Sequence, residues 1–302
     1  MTRALITAYQ MKFNGDNTKN NCKSALGDFS KYLKEIGIND LRKVKKEHVL
    51  SYASDLNERF EEQTLSASTV QNYLSKVNVA MENARLDDSC RVCPVREADL
   101  PSRSGIATID KSTDDISHTK ALNFLSERLG AQLELQRQLG LRFKESTLID
   151  AKETLQYAEM TGLIRIEYGT KGGLIREYPI VEQSQINALR DAARIQDKDR
   201  SMIPSNLSWV QYKNQCYREI SKTNILFHGE RHSYANRRFE ELSGVKSPIQ
   251  SGISHGNPHH KFMAKKLHIS VVEARHLDYE VRFQIAKELG HGRVNVTNNY
   301  LG

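Results

Sequence analysis

Two short motifs in the last quarter of the chain contain side chains that could handle a phosphate group. The first is residues 228–232 (HGERH), and the second is residues 289–291 (LGH), followed nine residues later by Tyr300. On a helix beginning near Gly229, Arg231 would project to the same side as His228. An arginine binds phosphate oxygens through two parallel hydrogen bonds, and an imidazole beside it can donate or accept a proton. A phenol near these groups could act as a nucleophile, because a base or positive neighbours can overcome its ordinary pKa of about 10.

Further candidates lie upstream of these motifs. Residues 140–145 (GLRFKE) contain Arg142, with Glu145 three residues on. Residues 163–168 and 174–180 alternate apolar and polar side chains, and the glycine-rich sequence GTKGG at 169–173 lies between them. This pattern predicts a β-hairpin with Lys171 in its turn.

Together these motifs resemble the catalytic signature of the tyrosine recombinases, the phage-integrase family. That family cuts and rejoins DNA through a 3′-phosphotyrosine. The resemblance implies six catalytic residues, in chain order Arg142, Lys171, His228, Arg231, His291 and Tyr300. Each of them alone is more often a surface cation, a satisfied core histidine or a packing tyrosine, so the argument depends on their common order.

The resemblance implies how these residues would share the reaction at the phosphorus. Tyr300 would be the nucleophile. Arg142 and Arg231 would bind the two non-bridging oxygens, for which planar guanidinium groups are well suited. His291 would add a hydrogen bond to one of those oxygens.

The proton transfers are assigned to two other residues. Lys171 would be the general acid for the leaving 5′-hydroxyl, and His228 would take the proton of Tyr300. Glu145 would orient a catalytic neighbour, with an exposed helical carboxylate as the alternative. We expect neither a metal nor another cofactor, because the chain lacks a Walker motif and an acidic triad for two-metal catalysis.

The first 98 residues are expected to form a helical domain. Apolar residues at helical spacing predict helices within 4–13, within 22–37, around 49–60, and from an N-cap at Ser66 or Ser68. This arrangement resembles the core-binding domain of the family, which binds DNA. Candidate phosphate contacts on its polar face, with a solvated face as the alternative, are Arg42, Lys43, Lys45, Lys46, Lys76 and Arg85.

The polar segment 99–115 lacks apolar periodicity and is expected to be the linker. Residues 116–302 would form the catalytic domain, in which helical periodicity is interrupted by the hairpin. The expected fold is therefore mostly α-helical: a helical core-binding domain followed by an α+β catalytic domain with a small antiparallel sheet. In the long interval 244–268 we expect an exposed loop, with a metal site as the alternative because His255, His259, His260 and His268 are clustered there.

The composition agrees with a partner that is a polyanion. The net charge is +7 and the pI is about 9.1, so the surface field should attract nucleic acid. Four cysteines do not indicate a disulfide framework at this length, and the CxxC at residues 90–93 lacks a second pair for zinc. No apolar run or leader indicates a membrane segment. We expect a cytoplasmic, nucleoid-associated protein.

The function expected from these observations is site-specific recombination or integration for a phage or mobile element. The protein would bind double-stranded DNA and assemble as a homotetramer on two recombination sites, with accessory DNA-bending proteins as possible partners. A type IB topoisomerase or a telomere resolvase is the alternative enzyme, since both share the nucleophile and the cations. From a different class, a catalytically inactive DNA-binding relative remains an alternative.

Overall fold

The computed structural model describes residues 1–13 and 16–302. The chain separates into two compact units, Met1–Ser104 and Gly105–Gly302. The boundary falls inside the segment 99–115, which is expected to be the linker. Residues after the boundary pack on the second unit, where the amide of Thr113 donates to the carbonyl of Gly229 at 3.2 Å.

The first unit is built from helices whose apolar stripes meet in one core. In the described part of this unit the α-helices are α1 Thr2–Gln10, α2 Asp16–Asn20, α3 Lys23–Glu35, α4 Lys46–Glu61 and α5 Ala67–Arg85. The start of α5 is set by Ser66, whose hydroxyl accepts a hydrogen bond from the Thr69 amide. The buried core includes Leu26, Phe29, Leu33, Tyr52, Leu56, Val70, Leu74 and Val77.

The second unit is also mainly helical. Its α-helices are α6 Asp115–Leu122, α7 Glu127–Leu139, α8 Phe143–Leu148, α9 Ala151–Thr161, α10 Gln183–Gln196, α11 Trp209–Ile220, α12 Phe227–Ser243, α13 Pro248–Ser251, α14 Asn257–Leu267, α15 Val271–Glu288 and α16 Asn298–Leu301. Helix α12 packs against α7, α15 and α16. It therefore lies at the centre of this unit, and its side chains can reach elements that are far apart in sequence.

The predicted hairpin is present as a two-stranded antiparallel sheet within the described residues. Strand β1, Leu163–Ile166, pairs with β2, Arg176–Pro179, with Leu163 opposite Pro179 and Ile166 opposite Arg176. The turn between them contains a short 3₁₀ segment, Lys171–Gly173. The expected fold class, mostly helical with a small antiparallel sheet, is confirmed.

The expectation of an exposed loop at residues 244–268 is wrong, because this interval contains the helices α13 and α14. The Ser247 hydroxyl caps α13, and both helices have proline in the first turn, where its missing N–H costs nothing. Met263 is fully buried and His259 is 1% exposed. Among the described residues, no group of His, Cys, Asp and Glu side chains is arranged to hold a metal ion.

No helix in the described ranges combines the length and the apolar character that crossing a bilayer requires.

Candidate active site

Arg231, near the start of α12, is the most deeply buried of the six catalytic candidates, with no exposed surface. Its guanidinium donates to two backbone carbonyls, those of Gly140 and Leu289, which lie far from it in sequence. Gly140 has a φ of +62°, and a Cβ there would lie 2.6 Å from the Tyr234 ring. Only glycine allows this carbonyl to reach Arg231, so the loop before Arg142 is shaped around the arginine.

Tyr300 lies in α16 and is 5% exposed. Its hydroxyl accepts a hydrogen bond from Nε of Arg231 at 3.2 Å and lies 3.3 Å from Nε2 of His291. The fold therefore brings together the guanidinium of Arg231 from α12, the imidazole of His291 from the residues after α15, and the phenol of Tyr300 from α16.

The contacts define the tautomer of His291. Its Nε2 lies 3.4 Å from Nη2 of Arg231. A guanidinium can only donate hydrogen bonds, so Nε2 is the acceptor and the ring proton lies on Nδ1. Burial, followed by the charges of Arg231 and Arg142, lowers the pKa of His291 to about 3. A neutral His291 can therefore accept a hydrogen bond from the Tyr300 hydroxyl, but a pKa this low makes it a weak base.

Two further imidazoles, both from α12, line the tyrosine. The ring centroid of His228 lies 5.6 Å from that of Tyr300, and the centroid of His232 lies 4.8 Å from it. Burial is the main cause that lowers the pKa of His228, and it lowers the pKa of His232 to about 4. His232 was not among the predicted site residues, although it belongs to the HGERH motif on which the prediction depends.

Arg142 and Glu145 form the beginning of α8. The Glu145 carboxylate accepts from the Arg142 amide at 2.8 Å and from Nη1 of Arg142 at 2.7 Å. Glu145 has no exposed surface, whereas the Arg142 side chain is 23% exposed. Burial alone would raise the pKa of Glu145, but hydrogen bonds from Arg176 and the charges of Arg176 and Arg231 lower it to about 2. Glu145 is therefore an ionised carboxylate that accepts hydrogen bonds from both Arg142 and Arg176.

Arg176, on β2, completes this network and was missed by sequence analysis. Its Nη1 and Nη2 donate to the two oxygens of Glu145 at 3.0 and 2.9 Å, and its Nε donates to the Glu288 carbonyl at 2.9 Å. The strand alternation contained a usable signal, because Arg176 has the same parity as the buried Tyr178 and must face inward.

Lys171 is not brought into contact with the other candidates. It is exposed at the tip of the hairpin, and no hydrogen bond or ion pair of the described residues involves it. The turn itself is anchored close to Arg142, since a Cβ on Gly169 would lie 2.6 Å from the Lys144 carbonyl oxygen. The lysine is therefore carried by a backbone that packs on α8 while its own side chain is unrestrained.

The candidate DNA contacts of the first unit differ in how closely they pair with acidic side chains or backbone carbonyls. Arg42 and Lys46 pair with Asp40 and Glu97, both at 2.7 Å. Lys45 is 3.6 Å from Glu47, and Lys43 is exposed. Lys76 donates to the Asn21 carbonyl at 2.8 Å, and Arg85 contacts Asp87 and the Val44 carbonyl, both at 3.3 Å.

Comparisons with known proteins identify the fold and match part of the chain to a family model. The family model described as Integrase matches residues 104–237. The Tn1549 transposon integrase, solved in complex with transposon right end DNA, is 13% identical with a TM-score of 0.55, and the match covers 99% of this chain and 94% of that chain. No curated protein sequence matches the chain significantly.

Two other solved structures share the fold. A lambda integrase dimer bound to a COC′ core site is 17% identical with a TM-score of 0.53, covering 92% of this chain and 95% of that chain. The XerH site-specific recombinase bound to a palindromic difH substrate is 15% identical with a TM-score of 0.55, and the match covers 95% of this chain and 77% of that chain. The resemblance indicated by the motifs is thereby supported: residues 104–237 match the integrase family model, and the chain shares the fold of these solved integrases and recombinases.

Proposed function

We propose that the protein is a site-specific DNA recombinase that cuts and rejoins DNA through a 3′-phosphotyrosine on Tyr300. The observation that carries the proposal is the position of the Tyr300 hydroxyl, 3.2 Å from Arg231 and 3.3 Å from His291. A phenol used only for packing would not need two such polar partners in a buried site. A phenolate would be stabilised by the same arginine, which makes the hydroxyl a better nucleophile.

The cations around the tyrosine fit a scissile phosphate. Arg231 is fixed by two carbonyls and cannot rotate away, while Arg142 is partly exposed and is held by Glu145. Such fixed donors stabilise the charge that develops on the non-bridging oxygens without reorganising during the reaction. The transfer forms a bond from the Tyr300 oxygen to phosphorus and breaks the bond to the 5′-oxygen, so the phosphodiester energy is retained for rejoining.

Two imidazoles near Tyr300, those of His291 and His228, are the candidate acceptors of its proton. Nε2 of His291 lies 3.3 Å from the phenol oxygen, whereas the ring centroid of His228 lies 5.6 Å from that of Tyr300. A guanidinium has five N–H groups. Those of Arg231 that the Gly140 and Leu289 carbonyls leave unused would donate to the phosphate while the side chain stays in place. His228 is the second candidate proton site. Lys171, on its exposed hairpin, remains the proposed acid for the 5′-oxygen.

The solved relatives were crystallised with transposon or recombination-site DNA, which supports double-stranded DNA as the partner here. A homotetramer on two sites and accessory bending proteins are part of the same proposal, as is a mobile element as the source of the sites. A protein acting in this way would work in the cytoplasm beside the nucleoid. The six cations of the first unit are proposed as phosphate contacts, with Lys43 and Lys45 the most available.

The proposal is tested with nicked DNA duplexes that trap the covalent intermediate, taken from a library of candidate sites. Wild type should give a protein–DNA band on a denaturing gel in the presence of EDTA, and Tyr300→Phe should give none. Mass spectrometry of the trapped peptide should place the nucleotide on Tyr300. If wild type shifts the DNA on a native gel but forms no covalent band on any site, the protein is a binding relative instead.

A further inference from the structure

The segment that carries Tyr300 is held from both sides by one buried arginine. Arg282 on α15 is 3% exposed, and its Nη1 donates to Oδ1 of Asn298 at 2.9 Å. Its Nη2 donates to the Gly302 carbonyl at 3.1 Å. Asp278, one turn earlier, holds the guanidinium through both carboxylate oxygens at 3.1 and 2.9 Å. The two attachment points are two residues before and two residues after Tyr300.

A second attachment fixes the backbone of the tyrosine itself. The side-chain amide of Asn236 lies 3.3 Å from the Tyr300 carbonyl, and its two hydrogens are shared among this carbonyl, the His232 carbonyl at 3.0 Å and the Ser112 hydroxyl at 2.9 Å. The Ser247 hydroxyl donates to the side-chain oxygen of Asn236, and both side chains are fully buried. Ser247 belongs to the 244–268 interval, which thereby reaches the reactive segment.

These attachments are needed because α16 cannot hold its own position. A helix of four residues is too short to be stable by itself, so its placement depends on tertiary contacts. Burying Arg282 with Asp278 carries a desolvation cost that an apolar pair would avoid, so the pair serves geometry better than stability. None of these groups touches the Tyr300 hydroxyl in the described contacts.

We propose that Asn236, Ser247, Asp278 and Arg282 form a tyrosine brace that positions the nucleophile beside Arg231 of the same chain. They are positioning residues, since they act through the backbone and Asn298 rather than on the phosphate. The interval 244–268 is then part of the catalytic apparatus rather than a surface insertion. The inference rests on the proposed role of Tyr300 as nucleophile.

The first measurement does not depend on catalysis. Wild type, Asn298→Ala and Arg282→Gln are treated with tetranitromethane without DNA, and nitration of the Tyr300 peptide is followed by mass spectrometry. Because the tyrosine is buried, its nitration should be slow in wild type and several-fold faster in both variants, since local opening becomes easier. Arg194→Gln, at an exposed ion pair with Glu127, is the matched control and should nitrate like wild type.

The second measurement is single-turnover cleavage of a nicked site over a range of DNA concentrations. Loosening the nucleophile should lower the rate at saturating DNA by roughly 10- to 100-fold, because small displacements of a reacting atom are costly. The DNA concentration at half-saturation should not change. An effect on folding alone would lower the active fraction without changing the rate of the protein that remains.

The outcomes separate the two proposals. If Tyr300 nitration and the saturating cleavage rate of Asn298→Ala both stay within about twofold of wild type, a margin typical of surface changes, the brace is refuted. If Arg282→Gln fails to fold, the result for Asn298→Ala alone decides whether the brace is refuted. If wild type forms no covalent band but nitration rises in the variants, the brace stands as a structural device and the recombinase proposal fails.

Discussion

Replacing Glu145 with glutamine should destabilise the second unit strongly. The carboxylate of Glu145 is fully buried and accepts hydrogen bonds from Arg142 and both terminal nitrogens of Arg176. It also lies 3.7 Å from Arg231. Glutamine occupies the same volume but carries no charge, and it turns an N–H₂ group toward a guanidinium that can only donate.

The magnitude follows from the charges left behind. Removing one partner of a buried ion pair costs about 3–5 kcal/mol, because the remaining charge is uncompensated. The difference between the pKa of Glu145, about 2, and that of an ordinary carboxyl corresponds by itself to about 3 kcal/mol. For a unit of this size, each kcal/mol lowers Tm by about 2–4 °C, so Glu145→Gln should lower Tm by roughly 6–20 °C.

The assay is urea unfolding with calorimetry, comparing wild type, Glu145→Gln and the control Glu127→Gln. The Glu127 side chain is 69% exposed in its pair with Arg194, so its replacement should leave stability nearly unchanged. Because the native pKa of Glu145 is lowered, its contribution is present above about pH 4.5 and is lost as the pH falls toward 2. The difference in free energy of unfolding between wild type and Glu145→Gln should disappear as the pH falls over that interval. A loss below about 1 kcal/mol at pH 7 would refute the reasoning.

Three further predictions follow from other sites. Burial alone would lower the pKa of His118, but a hydrogen bond with Glu134 and the Glu230 carboxylate 3.2 Å from Nδ1 raise it to about 9. Roughly 1–2 kcal/mol of folding free energy, after solvent screening, should therefore be lost as pH rises from about 6.5 to 9, which urea unfolding over that range checks. Gly140→Ala should lower the free energy of unfolding by at least about 2 kcal/mol, because the φ of Gly140 is positive and the new Cβ would lie 2.6 Å from the Tyr234 ring. Thermal unfolding measures this loss of stability. Lys171→Ala should slow cleavage by roughly 10²-fold or more on ordinary DNA, and a 5′-thiol leaving group, which needs no proton, should restore the rate.

Each of these predictions has a control within the same chain. A His118→Gln variant should show a flatter stability profile between pH 6.5 and 9, and an unchanged slope would contradict the role of this histidine. Gly292→Ala adds a methyl group where no atom lies within 4 Å, and it should be tolerated. If the alanine substitutions at Gly292 and Gly140 lowered the free energy of unfolding equally, the steric explanation would be refuted. Lys198→Ala, at another exposed lysine, should cleave like wild type; if the thiol substrate fails to rescue Lys171→Ala, the lysine is not the acid.

The hairpin and most helices were predictable because their signals are local. Alternating side chains around GTKGG predicted β1 and β2, and Ser66 marks the start of α5 as an N-cap. The prediction of an exposed loop at 244–268 was wrong because the interval combines several histidines and glycines with helix start signals. Its own start signals, a serine–proline pair and a proline after Gly256, describe the helices that the structure contains.

Sequence by itself determined the residue types of the candidate site, their order and the elements on which most of them lie, since these depend on short-range periodicity and spacing. Tertiary structure alone decided what those residues touch. Arg231 meets carbonyls 91 and 58 residues away, and Arg176 meets a carboxylate 31 residues away. Buried charges take whichever partner the packing of distant elements supplies, and no local pattern records that choice. The pairing of Arg231 with Tyr300 and the brace behind the tyrosine therefore became visible only in the folded chain.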